Sequence, residues 1–274
     1  VVKPWLKPCP SSRPMDGLHL LRPDQDCRSL LRRAPFKFLR QHTDGFVAIT
    51  EVIAQDLLHS DVPKEQVWRI PNGVHADRFR PTDKAHSEAA RKMLGLGTKR
   101  IVTYVGHLNP AKGLHVLLQA WAKAPASAHL LLVGRTTPQK QYDSLRDLSR
   151  QLGIEETVTF VGEKQDVRPY LAATDVFVLP SFREGMSNAL LEAMSCGLPL
   201  VTTNALGMED VVANDHNALV VPVGDADALA DGLCQLLDDQ SLATRLGQAA
   251  RQTILDRFSF EVVAQRYETL FRSL

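Results

Sequence analysis

The sequence predicts an α/β protein built on a doubly wound parallel sheet, with part of a second α/β unit in front of it. Two observations carry this expectation. Short apolar, β-branched runs recur at IVTYVG (101–106), HLLLVG (129–134), VTFVG (158–162), VFVLP (176–180), LVTT (200–203) and ALVVP (218–222). Each is followed by a helical or helix-plus-loop stretch of crossover length, and continuous apolar runs rather than alternation indicate strands covered on both faces. The chain of 274 residues, 44% hydrophobic and 23% charged, is long enough for about two domains and a sizeable core.

From the N-terminus, residues 1–42 carry nine Lys/Arg against three Asp/Glu, leaving 23 against 28 in the remainder and a net charge of only +1. That balance gives no strong field for generic nucleic-acid binding, so nucleic acid is not an expected partner. The local excess includes Arg32, Arg33, Lys37 and Arg40 interleaved with Leu30, Leu31, Phe36, Phe38 and Leu39. Such an element suits peripheral contact with an anionic membrane surface, but Pro35 interrupts a helix there and a solvated face is the favoured reading. No run approaches the roughly 18 uncharged apolar residues of a spanning helix. The start at Val1, in VVKPWLKPCP, lacks a signal-peptide layout and points to a fragment. Cys9, Cys27, Cys196 and Cys234 are too scattered for a zinc site or disulfide framework, which predicts free buried thiols in a cytoplasmic protein.

The pattern changes at Gly45. FVAIT (46–50), a helix-like EVIAQDLLHS (51–60) and VWRI (67–70) read as the end of an α/β unit assigned to residues 1–80. Pro71-Asn72-Gly73 is a turn signature, and the polar stretch Arg80–Arg100 with Pro81, Gly95 and Gly97 reads as a helix-bearing linker, bounded here as 81–99. The second domain is assigned to residues 100–256. A final helix, 257–274, has Phe260, Val263, Tyr267, Leu270 and Phe271 at helical spacing and is expected to pack on the core.

Ligands of doubly wound sheets bind at the carboxyl ends of the strands, so the following loops are the places to look for chemistry. The first is Gly106-His107-Leu108-Asn109-Pro110-Ala111-Lys112-Gly113, ahead of the helix LHVLLQAW. It is neither Gly-x-Gly-x-x-Gly nor a P-loop ending in Gly-Lys-Ser/Thr, which counts against hydride transfer and NTP hydrolysis. A lysine beside the free amides of a helix start is unfavourable unless an anion lies between them, which suggests a phosphate site.

The second loop is Ser181-Phe182-Arg183-Glu184-Gly185-Met186-Ser187-Asn188, running into a helix that carries Glu192. Gly185 permits close backbone approach, Ser187 or Asn188 can cap, and the helix N-terminus offers free amides to an anion. With the helix starting near Ser187, Glu184 lies at its mouth and Glu192 inside it, so both can face one crevice about 10 Å apart along the axis. Two carboxylates flanking an anion-binding helix end can grip hydroxyl-rich groups on either side of a phosphate. Asp24-Gln25-Asp26 and Asp225-Ala226-Asp227 are the Asp-x-Asp candidates for a metal, but the second follows Gly224 and reads as a helix cap.

The segments IPNGVHADRFRP (70–81), YVGHLNPAKGLHVLLQAW (104–121), LLLVG (130–134), VTFVGEKQDVRPYLAATDVFVLPSFREGMSNALLEAMSCGLPLVTTN (158–204) and NALVVPVGDADALADGL (217–233) resemble the retaining nucleotide-sugar glycosyltransferases of glycosyltransferase family four. The Glu-x7-Glu segment with Gly197-Leu198-Pro199 is the most specific part. The resemblance implies the GT-B architecture of two facing Rossmann-like domains, with residues 1–80 a partial acceptor-side domain and the last helix crossing back to it. It implies a metal- and cofactor-independent hexosyl transfer, with retention, from a nucleoside-diphosphate sugar to a glycan, lipid or small-molecule hydroxyl. Glu192 would hold the ribose, Glu184 the donor sugar, and the amides from Gly185 through Met186 and Ser187 to Asn188 the diphosphate. Lys112 would neutralise the leaving phosphates, making Lys112 and Glu184 the catalytic pair, and Glu163, Lys164 and Gln165 would border the base.

This chain has Gly106-His107 where the family pattern has Gly-Arg, and Arg135 or Arg183 could compensate for the lost guanidinium. The family's glycine-rich acceptor loop has no counterpart before residue 80, which predicts an N-terminal truncation. Two alternatives therefore stand beside the transferase: a nucleotide-sugar-binding remnant, and a GT-B-type nucleotide-sugar epimerase. His42, His59, His75, His86 and His115 read as ordinary exposed or packed histidines.

Overall fold

The computed structural model describes residues 42–125, 127–135 and 139–273. Strands β1 (Phe46–Ala48) and β2 (Val67–Arg69) pair in parallel around helix α1 (Glu51–Leu58). The Thr50 hydroxyl caps α1 by accepting the Ile53 N–H at 3.4 Å. The polar stretch that follows holds α2 (Lys84–Leu94), capped by Asp83 and stopped by left-handed Gly95.

Six strands then form one all-parallel sheet: β3 (Arg100–Val105), β4 (Ala128–Val133), β5 (Val158–Gly162), β6 (Val176–Leu179), β7 (Leu200–Thr203) and β8 (Leu219–Val221). Between and after them run α3 (Leu114–Trp121), α4 (Gln139–Gln151), α5 (Arg168–Ala173), α6 (Asn188–Ser195), α7 (Ala226–Asp238), α8 (Gln240–Arg257) and α9 (Phe260–Ser273). The spatial order is β5-β4-β3-β6-β7-β8. The chain thus lays strands outward from β3 in one direction and then, from β6, in the other, so the order reverses between β3 and β6. In sheets of this kind ligands bind in a crevice outside the carboxyl ends of those two strands. The core is the apolar content of the strands and the helix faces on them: Ile101, Tyr104, Leu117, Leu130, Phe177, Leu190 and Leu200 are all fully buried.

The segment between β2 and α2 is fastened to this body. Val74 and Phe260 exchange backbone bonds with Phe258 and Val74 at 2.9 Å each, and the Arg251 guanidinium donates to the carbonyls of Ala76, Phe79 and Ser195. Helix α9 packs Val263 and Leu270 against Ile70, with Val47, Trp68 and Tyr267 around them. Phe260 and Phe271 depart from the expected core packing. Only the stripe 263–270 reaches Ile70, so these two rings lie beside it, 49% and 62% exposed, stacked on His75 and Tyr267.

Asp225 accepts the Asp227 and Ala228 amides at 3.1 and 2.9 Å, so this Asp-x-Asp caps α7. Cys196 and Cys234 are free thiols, half-buried rather than buried. The basic segment from Leu30 to Arg40, Asp24-Gln25-Asp26, Cys9 and Cys27 lie outside the described residues. Among the described residues no helix is long and apolar enough to cross a membrane.

Candidate functional site

The two loops at the strand-order reversal meet. After β3 the chain passes Gly106 and His107 and forms a 3-10 turn, Pro110–Lys112, before Gly113 turns it into α3. Gly113 has φ +66°, and a Cβ there would lie 2.0 Å from the Pro180 carbonyl oxygen on the second loop, so only glycine allows this approach. The Phe182 N–H donates to the Ala111 carbonyl at 2.9 Å across the same junction.

That junction brings Lys112 onto Glu184. The ammonium lies 2.8 Å from both carboxylate oxygens, and the Ser181 hydroxyl donates to Oε1 at 2.6 Å. Glu184 is 7% exposed, so its charge is carried in a largely dry setting by these partners. The anion facing Lys112 is thus a side chain of the protein itself. Beneath the first loop, Tyr104 donates its hydroxyl to the His107 carbonyl at 2.8 Å. Burial, and then the Glu184 charge, hold this phenol well above its usual range, so it remains a donor.

Helix α6 begins as the loop ends. The Ser187 hydroxyl accepts the Leu190 N–H at 3.3 Å, which selects Ser187 over Asn188 as the cap. Leu190 is the first N–H after Gly185 with an acceptor among the described residues, leaving the amides of 185–189 free for a ligand. Met186 is nearly buried, and its sulfur accepts the Asn72 N–H at 3.2 Å, while Asn72 Nδ2 donates to Asn188 Oδ1 at 3.0 Å. The turn Pro71-Asn72-Gly73 therefore touches this loop.

Glu192 sits one turn into α6, half-buried, with no hydrogen-bond donor at its carboxylate among the described residues. Burial pushes its carboxyl up to about 7. Glu163, Lys164 and Gln165 are exposed at the carboxyl end of β5, the edge strand on the β3 side. His107 is exposed. Arg135 and Arg183 are exposed too, their guanidinium groups without acceptors among the described residues; the Arg135 carbonyl accepts the Leu108 N–H at 2.8 Å, placing Arg135 beside the first loop.

Three groups of this region gave no local sequence signal of a role. Ser181 fixes Glu184. Gly207, at φ +91°, allows the loop after β7 to lie on the Ser181–Asn188 loop, because a Cβ there would come within 2.5 Å of the Gly185 carbonyl oxygen and 2.6 Å of that of Glu184. Asp210, on the same loop, accepts the Glu51 N–H and an Arg69 N–H, both at 2.7 Å, and so ties this side to α1 and β2. The positive-φ glycine is legible only once the backbone is known; the Asp210 bonds span 159 and 141 positions.

The sequence model for "Glycosyl transferases group 1" matches residues 86–253, more than half of the chain. The chain is 32% identical over 234 residues to the lipopolysaccharide core biosynthesis glycosyltransferase LpsE of Rhizobium meliloti, covering 85% of this chain and 65% of that protein. It is 31% identical over 238 residues to the N-acetyl-alpha-D-glucosaminyl L-malate synthase of Bacillus anthracis, covering 86% and 61%. The chain thus spans less than two thirds of the length of either relative. The crystal structure of Anabaena Alr3699/HepE in complex with UDP and glucose superposes with a TM-score of 0.84 at 24% identity, over 90% of this chain and 67% of that one. The fold is GT-B-type α/β, and the chain belongs to the glycosyl transferases group 1 family.

Proposed function

We propose that this chain carries the donor site of a retaining hexosyltransferase of glycosyltransferase family four, which moves a hexosyl unit from a nucleoside-diphosphate sugar to an acceptor hydroxyl without a metal or cofactor. The observation that carries this reading is the meeting of Lys112, Glu184 and the free N-terminal amides of α6 at one strand-order reversal. Breaking a glycosyl–phosphate bond develops negative charge on the leaving oxygen and positive charge on the sugar carbon. A fixed ammonium and oriented amides stabilise the first, and they act most strongly as the charge appears. In this reading Lys112 is shared between Glu184 and the diphosphate, and Glu184 keeps lone pairs for sugar hydroxyls. Glu192 takes the ribose hydroxyls and is driven to ionise by them, Glu163, Lys164 and Gln165 border the base, and Arg135 or Arg183 supplies the guanidinium that His107 does not.

By name the relatives serve lipopolysaccharide core biosynthesis and N-acetyl-alpha-D-glucosaminyl L-malate synthesis, and HepE holds UDP and glucose, which supports a UDP-sugar among the candidate donors. The division 1–80, 81–99, 100–256 and 257–274 belongs to the same proposal, as does a cytoplasmic location, the basic excess of residues 1–42 slightly favouring an acceptor at an anionic membrane.

The test is ligand-observed NMR on the full chain with UDP-, GDP- and ADP-sugars and NAD, repeated with Glu192→Ala. The reading expects one nucleotide sugar to bind and the substitution to weaken it at least tenfold. Equal binding by the variant, or binding of NAD alone, contradicts it. Conversion of the donor sugar without any acceptor would instead identify an epimerase.

A further inference from the structure

A cavity of about 300 Å³ opens beside the donor loop. Its floor is the carboxyl end of the two-stranded sheet, where Ile49 follows β1 and Pro71 follows β2, and its far wall is the junction of α8 and α9. Met186 of the donor loop forms one side, so an occupant would lie next to the segment that carries Glu184. A volume of this size is at the low end of ligand pockets and suits a small polar group rather than a whole oligosaccharide.

The charges around it do not cancel. Arg69 is fully paired, its two Nη atoms 2.7 Å from Glu51 Oε2 and from Asp210 Oδ1. Asp210, the one carboxylate of the lining, also accepts the Glu51 N–H at 2.7 Å, so both its oxygens are committed. Arg257 donates at 3.0 Å to the Asp210 backbone carbonyl and lies 5.0 Å over the Phe258 ring, and neither contact neutralises it. Arg266, midway along α9, has no hydrogen bond or ion pair among the described residues. Two guanidinium groups without a carboxylate partner therefore line a cavity whose only acid is already bound elsewhere. Guanidinium forks match the tetrahedral oxygens of a phosphoryl group, and a pair of them matches its double charge.

We propose that this cavity binds a phosphoryl group carried by the acceptor, with Arg257 and Arg266 as its ligands and Arg69 as the anchored wall. The proposal rests on the transfer reading above, because it takes the occupant of a crevice beside the donor loop to be the acceptor. It makes the substrate class a phosphorylated glycan, lipid or polyol, and it assigns acceptor selectivity to residues of the α8–α9 junction.

The test is a titration of the full chain, labelled at arginine Nε and presaturated with UDP so that Lys112 is occupied, with inorganic phosphate and separately with glycerol 3-phosphate at constant ionic strength. The expected result is saturable movement of arginine Nε–H signals, tighter for the ester, with the dissociation constant raised at least fivefold in Arg257→Gln/Arg266→Gln and unchanged in Arg150→Gln, an exposed arginine of α4. Binding that the double variant leaves intact, or a linear drift matched by chloride, overturns the proposal. Saturation by inorganic phosphate alone overturns the acceptor assignment and leaves a site for the free anion. A failure of UDP to bind would count against the donor reading instead, and the titration would then be decided on Lys112→Met without UDP. Both arginines are exposed, so their replacement by glutamine is not expected to impair folding.

Discussion

Glu184 is held in its loop by a lysine ammonium and a serine hydroxyl, whereas Glu192, eight residues on and inside α6, meets no hydrogen-bond donor among the described residues and has its carboxyl pushed up to about 7. One motif thus presents two carboxylates in opposite states. The first is stabilised before any ligand arrives, so it forms with Lys112 a nearly neutral unit that a diphosphate, on the proposed reading, would enter by competing for the ammonium. The second carries an unrelieved desolvation cost, which hydroxyl donors from a ribose would remove. The two positions should therefore respond differently to substitution and to pH.

The largest effect is expected at Lys112. Lys112→Met removes the cation from a nearly buried carboxylate and should destabilise the fold by about 2–3 kcal/mol, read from chemical denaturation. It should also weaken nucleotide-sugar binding by about a hundredfold if the ammonium serves the diphosphate. Gly207→Ala tests the same loop from behind. Its Cβ would be forced onto two carbonyl oxygens of the Glu184–Gly185 segment, with an expected loss of about 2–3 kcal/mol and a broadened thermal transition.

Glu192→Gln should act in the reverse direction. Its carboxyl is raised in the folded state, so the stability it contributes is fully present below the ordinary value of 4.5 and is lost as pH rises through about 7. The variant should accordingly be more stable than the parent by about 1–2 kcal/mol at pH 8 and no different below pH 4.5, measured by urea unfolding across that range. Ser181→Ala is the mildest change. It takes one hydrogen bond from Glu184 while the lysine pair stays, costing about 1 kcal/mol.

The sequence was informative wherever a residue's role depends on its neighbours along the chain. All six strands of the large sheet were legible as apolar runs, α3 has the bounds of LHVLLQAW, and Ser187 and Asp225 cap the helices that their spacing implied. It was silent where the role depends on what lies across the crevice. Lys112 and Glu184 are 72 positions apart, and no local pattern indicates that their charges meet. The exposed rings of Phe260 and Phe271 show the same limit, since periodicity marks the apolar side of a helix but not how wide a surface waits for it. His107 is the reverse case: its departure from the family pattern was visible in the sequence, and the structure supplies Arg135 next to the same loop.

The most direct test of the donor site is the pH dependence of nucleotide-sugar affinity. A UDP-sugar is the better probe than UDP, because its diphosphate has no terminal phosphoryl group to titrate near neutrality. If Glu192 must ionise to accept ribose hydroxyls, the affinity of the parent chain should rise about tenfold between pH 5.5 and pH 8, while Glu192→Gln should bind more weakly with no such rise. A parent affinity independent of pH, or the same rise in Glu192→Gln, would contradict the assignment of Glu192 to the donor.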